Sequence, residues 1–146
     1  IIEQTLIEHG LEQRIMLRMQ NFLVLASIVA TTDMIAIVPH SVRRDDVPWS
    51  IGRGSPDTIP GFLLARLALD ENLHGAGRGA ELLVLALEHI LQAILAGGGR
   101  LIIVDAIDDN AASFYQHHGF TPSPTDPARL VMKASAAAAS LAIDWP

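Results

Sequence analysis

The stretch His74-Gly75-Ala76-Gly77-Arg78-Gly79 sets three glycines at every second position, directly ahead of a long apolar run. Glycines at that spacing let a ligand approach the main chain closely and leave several N–H groups free to turn toward one point. A helix starting there adds the positive end of its dipole, so the fitting chemistry is binding of a phosphate or pyrophosphate. The segment is not a P-loop, because the Lys-Ser/Thr pair is missing, and its glycine spacing departs from the dinucleotide-binding fingerprint. An ordinary left-handed turn at a helix start would also use glycines, so the loop alone leaves both readings open. A second group, Asn110-Ala111-Ala112-Ser113-Phe114-Tyr115-Gln116-His117-His118-Gly119-Phe120, contains the one tyrosine of the chain. A phenol with its ordinary pKa of about 10 is protonated at neutral pH and can act as an acid. As a core aromatic beside Phe114 it would do no chemistry. Asn110 either caps or starts a helix or contacts a ligand, and Arg66, set between apolar residues, either points at substrate or pairs with a carboxylate. His117 and His118 are neighbours on one helix and cannot comfortably share a metal. The six histidines lack a spaced carboxylate partner, so no metal site is expected.

The elements that must position these groups alternate between strand and helix. Phe62 to Leu69 and Leu101 to Ala106 read as strands apolar enough for the middle of a sheet. Between them Arg78 to Ala96 reads as a helix stopped by Gly97-Gly98-Gly99. Its polar stripe at Glu81, Glu88 and Gln92 is thin and interrupted by Leu85, so the helix should be covered on more than one side. Asp109 to His118 predicts a second helix stopped by Gly119, Arg129 to Lys133 a last strand, and the alanine-rich run from Ala134 to Ala142 a closing helix. That alternation argues for an α/β sandwich. Toward the N-terminus, Ile2 to His9 reads as a short helix and Arg14 to Met19 as a strand. Phe22 to Ala30 follows as a buried helix, and Met34 to Val38 as a strand closed by Pro39. The stretch from Asp45 to Pro60 carries three prolines and two glycines and shows neither period, which predicts a long loop or linker.

Composition narrows the classes. The chain has 146 residues, 50% hydrophobic and 18% charged, which suits one ordered domain and excludes a disordered chain. It has no cysteine, which rules out disulfides, thiolate catalysis and zinc–thiolate sites. A formal charge of −6 argues against a generic nucleic-acid binder. The most apolar stretch, Ala80 to Ala96, is broken by Glu81, Glu88, His89 and Gln92, and Glu3 and Glu8 stand where a signal sequence would carry basic residues. The expectation is a cytoplasmic protein without a membrane partner. The chain begins with Ile1 rather than Met, as a fragment or processed product would.

In that order the strand, the HGAGRG loop, the apolar helix, the LIIVDA strand and the FYQHHGF segment resemble the GNAT superfamily of acyl-CoA N-acyltransferases. The resemblance covers about residues 59 to 142, the C-terminal half of a usual GNAT domain. Within the superfamily, LLARLALDENLHGAGRGAELL and DAIDDNAASFYQHHGFTPSP most resemble the acetyltransferases of bacterial toxin–antitoxin pairs, which acetylate the amino acid on charged tRNA. The resemblance implies a GNAT-like mixed sheet flanked by helices and an acetyl-CoA site. The pyrophosphate would lie on His74, Gly75, Ala76, Gly77, Arg78 and Gly79, with His74 standing where the family usually has Gln or Arg. The pantetheine arm would pair with the main chain of Leu67, Ala68 and Leu69, as an added strand does. A main-chain N–H there would meet the oxyanion. Tyr115 would be the acid for the departing thiolate, Asn110 a contact to the cofactor arm, and Arg66 a substrate contact. An amine acceptor, with aminoacyl-tRNA as one candidate, and an antitoxin protein are the partners it implies.

No general base stands out, since Asp70 and Glu71 come only at the exit of the first strand. An α-amine with a pKa of about 8 needs less help than a lysine near 10.4, which agrees with an aminoacyl ester. The acidic balance pulls the other way, because tRNA needs a basic track. Arg43, Arg44, Arg53, Arg66 and Arg78 would supply one only if folding gathers them.

The first part of the chain departs from the GNAT pattern. GLEQRIMLRMQNFLVLASIVATTDMIAIVPHSVRR, about residues 10 to 44, is similar to a fragment of the effector-binding domain of LysR-type transcription regulators. The organisation expected is therefore chimeric: an atypical helix-strand-helix-strand segment over 1–44, a linker over 45–58, and an acetyl-CoA-binding half over 59–146, in one compact unit. An uncovered sheet edge would favour a homodimer. The function expected is an acetyl-CoA-dependent N-acetyltransferase. The alternative is a catalytically impaired acyl-CoA-binding or partner-binding fusion protein.

Overall fold

The computed structural model describes residues 37–65 and 78–146. Five strands form one mixed sheet in the order β1-β2-β3-β5-β4. They are β1 (Ile37–Arg43), β2 (Thr58–Leu64), β3 (Leu101–Asp105), β4 (Thr121–Pro122) and β5 (Arg129–Lys133). Four α-helices accompany them: α1 (Trp49–Gly52), α2 (Arg78–Gly97), α3 (Asp109–His117) and α4 (Ala134–Ser140). This is the α/β class and the flanked mixed sheet that the sequence predicts. The helix-strand-helix readings over residues 2–30 and the LysR-like stretch up to residue 36 lie outside the described residues.

β2 and β3 run parallel, joined by α2, with Gly61 opposite Leu101 and Leu64 opposite Val104. Gly61 is required by the packing: a Cβ there would fall 2.3 Å from the Leu101 carbonyl oxygen. β5 is antiparallel to β3 and carries the two-residue β4, which the sequence reading missed, on its outer side.

Two differences from expectation concern the first strands. β1 does not stop at Pro39 but runs on to Arg43, pairing with β2 from Ile37 opposite Leu64 to Arg43 opposite Thr58. Among the described residues β1 pairs only with β2, and an edge strand tolerates a proline because its outer side needs no N–H. β2 runs Thr58–Leu64 and so begins ahead of the expected Phe62, while the last residues of the expected strand, 66–69, lie outside the described residues. The stretch read as an irregular linker is ordered. It holds a 3₁₀ turn (Arg44–Asp46), then α1, then the start of β2. The Arg44 N–H donates to Asp57 O at 2.8 Å, its Nη1 donates to Ser55 O at 3.1 Å, and its Nη2 lies 2.8 Å from Asp57 Oδ1. Ser123 donates to the carbonyl of Asp46, and Thr125 donates to its Oδ1 at 3.0 Å, tying this connection to the β4–β5 turn.

Apolar residues alternate between two cores. One face of the sheet, with Leu64, Ile102, Val104, Leu130 and Met132, packs with the buried residues of α2, α3 and α4. The other, with Val42, Ile59, Leu101, Ile103 and Val131, packs with Val47 and Ile51 of the β1–β2 connection. On α2 the residues Leu83, Ala86, Leu87, Ile90, Leu91 and Ile94 are buried, and the helix meets both the sheet and α4. Cover on more than one side is what its thin polar stripe predicts. By length and apolar content Gly79–Gly97 could also cross a membrane. Its place as the crossover helix of a β-α-β unit accounts for that apolar content. Gly98 and Gly99 at φ +88° and +133° end it in a conformation that side chains avoid.

Candidate acyl-CoA site

The site forms where the parallel pair ends. β2 and β3 stay paired only as far as Leu64 and Val104. Asp105, the next residue of β3, pairs with Arg129 of β5. Beyond Val104 the β2-facing edge of β3 makes no ladder bond among the described residues. Such an edge suits an extended ligand lying as an added strand, and the carboxyl ends of parallel strands are where α/β sheets bind ligands.

Two helices converge on that end. α2 begins at Arg78, just after the glycine-rich stretch. A Cβ on Gly79 would sit 3.4 Å from Cε2 of Phe114, so the first turn of α2 lies against α3. Phe114 packs edge-on to Tyr115 at 5.4 Å, and Tyr115 edge-on to Phe120 at 5.5 Å. Tyr115 is 6% exposed, within the core that contains Leu64 and Val104. Burial raises its phenol above the ordinary value near 10, so it enters any reaction at neutral pH carrying its proton.

α3 owes its position to a cap and a stop. Asp108 accepts the Ala111 N–H at 2.8 Å as N-cap. Gly119 at φ +94° ends the helix, and the Phe120 N–H returns to Tyr115 O at 3.1 Å. Asp108 rather than Asn110 is the capping residue, and Asn110 is an exposed residue of the first turn, at the start of the helix. His117 and His118 stack edge-on at 5.2 Å, and His118 leans on Phe114 at 4.7 Å. Among the described residues no cluster of His, Asp or Glu could hold a metal ion.

Of the residues singled out from sequence, the structure brings Gly79 and Tyr115 together through Phe114 and places Asn110 at the start of the same helix. Arg66, Leu67, Ala68, Leu69, His74, Gly75, Ala76 and Gly77 lie outside the described residues, and of Arg78 only the backbone, the first residue of α2, is described. The sequence reading missed a polar cluster made by three strands. Arg129 donates from Nε and Nη2 to the two oxygens of Asp105, each at 2.8 Å, and lies with Nη1 3.2 Å from His40 Nε2. A two-residue period marks each as facing the same side as a buried neighbour, but which strands adjoin is not written in one sequence.

No protein-family profile matches the chain. It is 41% identical over 97 residues to a tRNA-acetylating toxin of Mycobacterium tuberculosis, an alignment covering 66% of this chain and 58% of that protein. The structure of AtaT in complex with acetyl-methionyl-tRNAfMet superposes with a TM-score of 0.67 at 27% identity, over 73% of this chain and 65% of AtaT. The chain is a homologue of the GNAT-type acetyltransferase toxins. The probable toxin TacT of Sinorhizobium fredii is 27% identical over 66% of this chain and 59% of its own length. AtaTR bound with acetyl-CoA superposes with a TM-score of 0.60 at 27% identity, over 73% of this chain and 64% of that one. This GNAT homologue thus spans about three-fifths of the curated relatives it matches.

Proposed function

We propose that the protein is an acetyl-CoA-dependent N-acetyltransferase that modifies a primary amine, with the α-amine of an aminoacyl-tRNA as acceptor. The observation that carries the reading is a buried Tyr115 in the same core as Leu64 and Val104, its phenol raised above the ordinary value by burial and its neighbour Phe114 set against the first turn of α2. The described residues fit an acyl-CoA. A helix N-terminus presents N–H groups without intrahelical partners to a pyrophosphate, the β2-facing edge of β3 makes no ladder bond beyond Val104 among the described residues, and the phenol supplies a proton donor.

Acetyl-CoA supplies the activated acyl group. The glycine loop and the α2 N-terminus hold its phosphates, and Asn110, exposed on the first turn of α3, is free to contact its arm. The main chain of residues 67–69 orients the thioester and donates to the oxygen that gains charge. Tyr115 gives its proton to the departing sulfur. An acceptor amine with a pKa near 8 is substantially neutral at cellular pH and needs little help to lose its own proton. The M. tuberculosis relative is named for tRNA acetylation, and AtaT is seen with an acetylated aminoacyl-tRNA. That supports the same acceptor here. AtaT has also been seen with the C-terminus of its antitoxin AtaR, which supports an antitoxin as partner. A cytoplasmic homodimer completes the reading.

The test is calorimetric titration of acetyl-CoA into wild type and Gly77→Glu, followed by transfer of labelled acetyl to charged tRNA. Binding that disappears in Gly77→Glu, with transfer lowered at least tenfold in Tyr115→Phe, is the expected result. Binding without transfer to any charged tRNA would refute the acceptor. No binding by folded wild type would refute the reading as a whole.

A further inference from the structure

The cluster missed in the sequence lies on the opposite face of the sheet from Tyr115. Val42, Ile103 and Val131 all belong to the second core, and side chains two residues apart on a strand share a face. His40, Asp105 and Arg129 therefore stand on that face, drawn from β1, β3 and β5. The guanidinium can only donate, so His40 Nε2 must accept from Nη1, which makes the ring neutral with its proton on Nδ1. Burial and the neighbouring Arg129 agree, holding the imidazole below its usual value against a smaller opposing effect of Asp105. Asp46 and Asp126 are the other charges acting on Arg129.

Arg129 thus grips Asp105 in a bidentate pair and is itself braced by His40. After both bonds each Asp105 oxygen keeps a free acceptor site, and the side chain is 48% exposed. Asp105 is also the first residue of β3 past the last pairing with β2. A thioester held where these strands part would have the Tyr115 acid on one face and a fixed carboxylate on the other.

We propose that Asp105 is the group that takes the acceptor's amine, accepting an N–H from it, with Arg129 and His40 as positioning residues that hold its carboxylate. The proposal rests on the acetyltransferase reading for its reaction, but amine binding can be measured without acetyl-CoA. Protonated His40 would set an N–H and a positive charge against Arg129, loosening the grip on Asp105. Amine affinity should therefore fall in acid, where the amine itself stays charged.

The probe is alanine methyl ester, titrated by NMR, with N-acetylalanine methyl ester as the control that lacks the amine. Wild type should bind the amine and not the control. Asp105→Asn should lose at least tenfold in affinity, Asp105→Glu should keep at least a third of it, and acetyl-CoA binding should be the same in all three. His40→Gln, which can still accept from Arg129, should bind as wild type at pH 7 and lose the weakening seen at pH 5. No binding by wild type, or equal binding by Asp105→Asn, overturns the amine site. Acid weakening that persists in His40→Gln overturns the positioning role. Failure of wild type to bind acetyl-CoA would strike the proposed activity alone and leave the amine titration to decide this site.

Discussion

The two faces of the sheet are built by different means. The helix-covered face is made from long local segments: α2 lays a continuous apolar stripe on it, and α3 brings Tyr115 into the same core. The other face is smaller. It is covered in part by Val47 and Ile51 from a connection with no regular period, and its polar cluster is assembled from residues far apart in the chain. Local segments place Tyr115, and strand order assembles the polar cluster. Stability should divide in the same way, with the helical face holding the fold and the other face tuning it.

The largest effect expected is on the helical face. Ile90 is fully buried in the middle of α2, and Ile90→Ala should cost about 4 kcal/mol, the lost transfer energy plus a cavity. Ile103 is as deeply buried on the other face, where Ile103→Ala should cost less, about 3 kcal/mol, because the shorter connection above it can settle into the space. Urea denaturation of the two variants gives the comparison, and equal or reversed losses would break the claimed difference between faces.

Next comes the close approach that joins β2 to β3. At Gly61 an added Cβ would meet backbone rather than a flexible side chain, at 2.3 Å from the Leu101 carbonyl oxygen. Gly61→Ala should cost about 2–3 kcal/mol through forced separation of the strands. Thermal unfolding checks it, and a variant as stable as wild type would mean that the parallel pairing is looser than described.

This division also explains what could be read beforehand. α2, β3, α3 and β5 were legible because a 3.6-residue stripe, a short apolar run and glycine stops are local signals. The place of Tyr115 on α3 was legible because its segment sits between such signals. The Asp45–Pro60 stretch was misread because its order comes from Arg44 with Asp57 and from Asp46 with Ser123, contacts that leave no period in the sequence. Pro39 reads as a stop only when the strand's place, at the edge of the sheet among the described residues, is unknown. His40, Asp105 and Arg129 were invisible for the same reason, since their meeting depends on strand order.

A smaller effect tests the positioning of Tyr115. Asp108 caps α3 through a single bond to Ala111 N, and Asp108→Ala should cost about 1 kcal/mol. The loss should appear as earlier amide exchange across Asp109–His117 while α2 keeps its protection. Protection lost equally in both helices would show that they open as one unit.

The smallest effect is in the pH dependence, where each face contributes one histidine. His40 and His118 both have pKa values below the ordinary 6.5, chiefly through burial. The unfolded chain therefore takes up protons first as pH falls through 6.5, and stability declines toward the folded-state values. For His118 the second cause is His117, a neighbour on the same short helix, so His117→Gln should relieve part of the acid loss. For His40 the second cause is Arg129, two strands beyond its own partner β2, and His40→Gln removes the whole contribution by removing the titrating ring. Unfolding free energies at pH 7 and 5.5 for wild type, His117→Gln and His40→Gln separate the two. Reduced acid sensitivity in both variants supports independent contributions from the two faces. An acid loss unchanged in His40→Gln would show that His40 is not held below its usual value in the folded protein, against its burial beside Arg129.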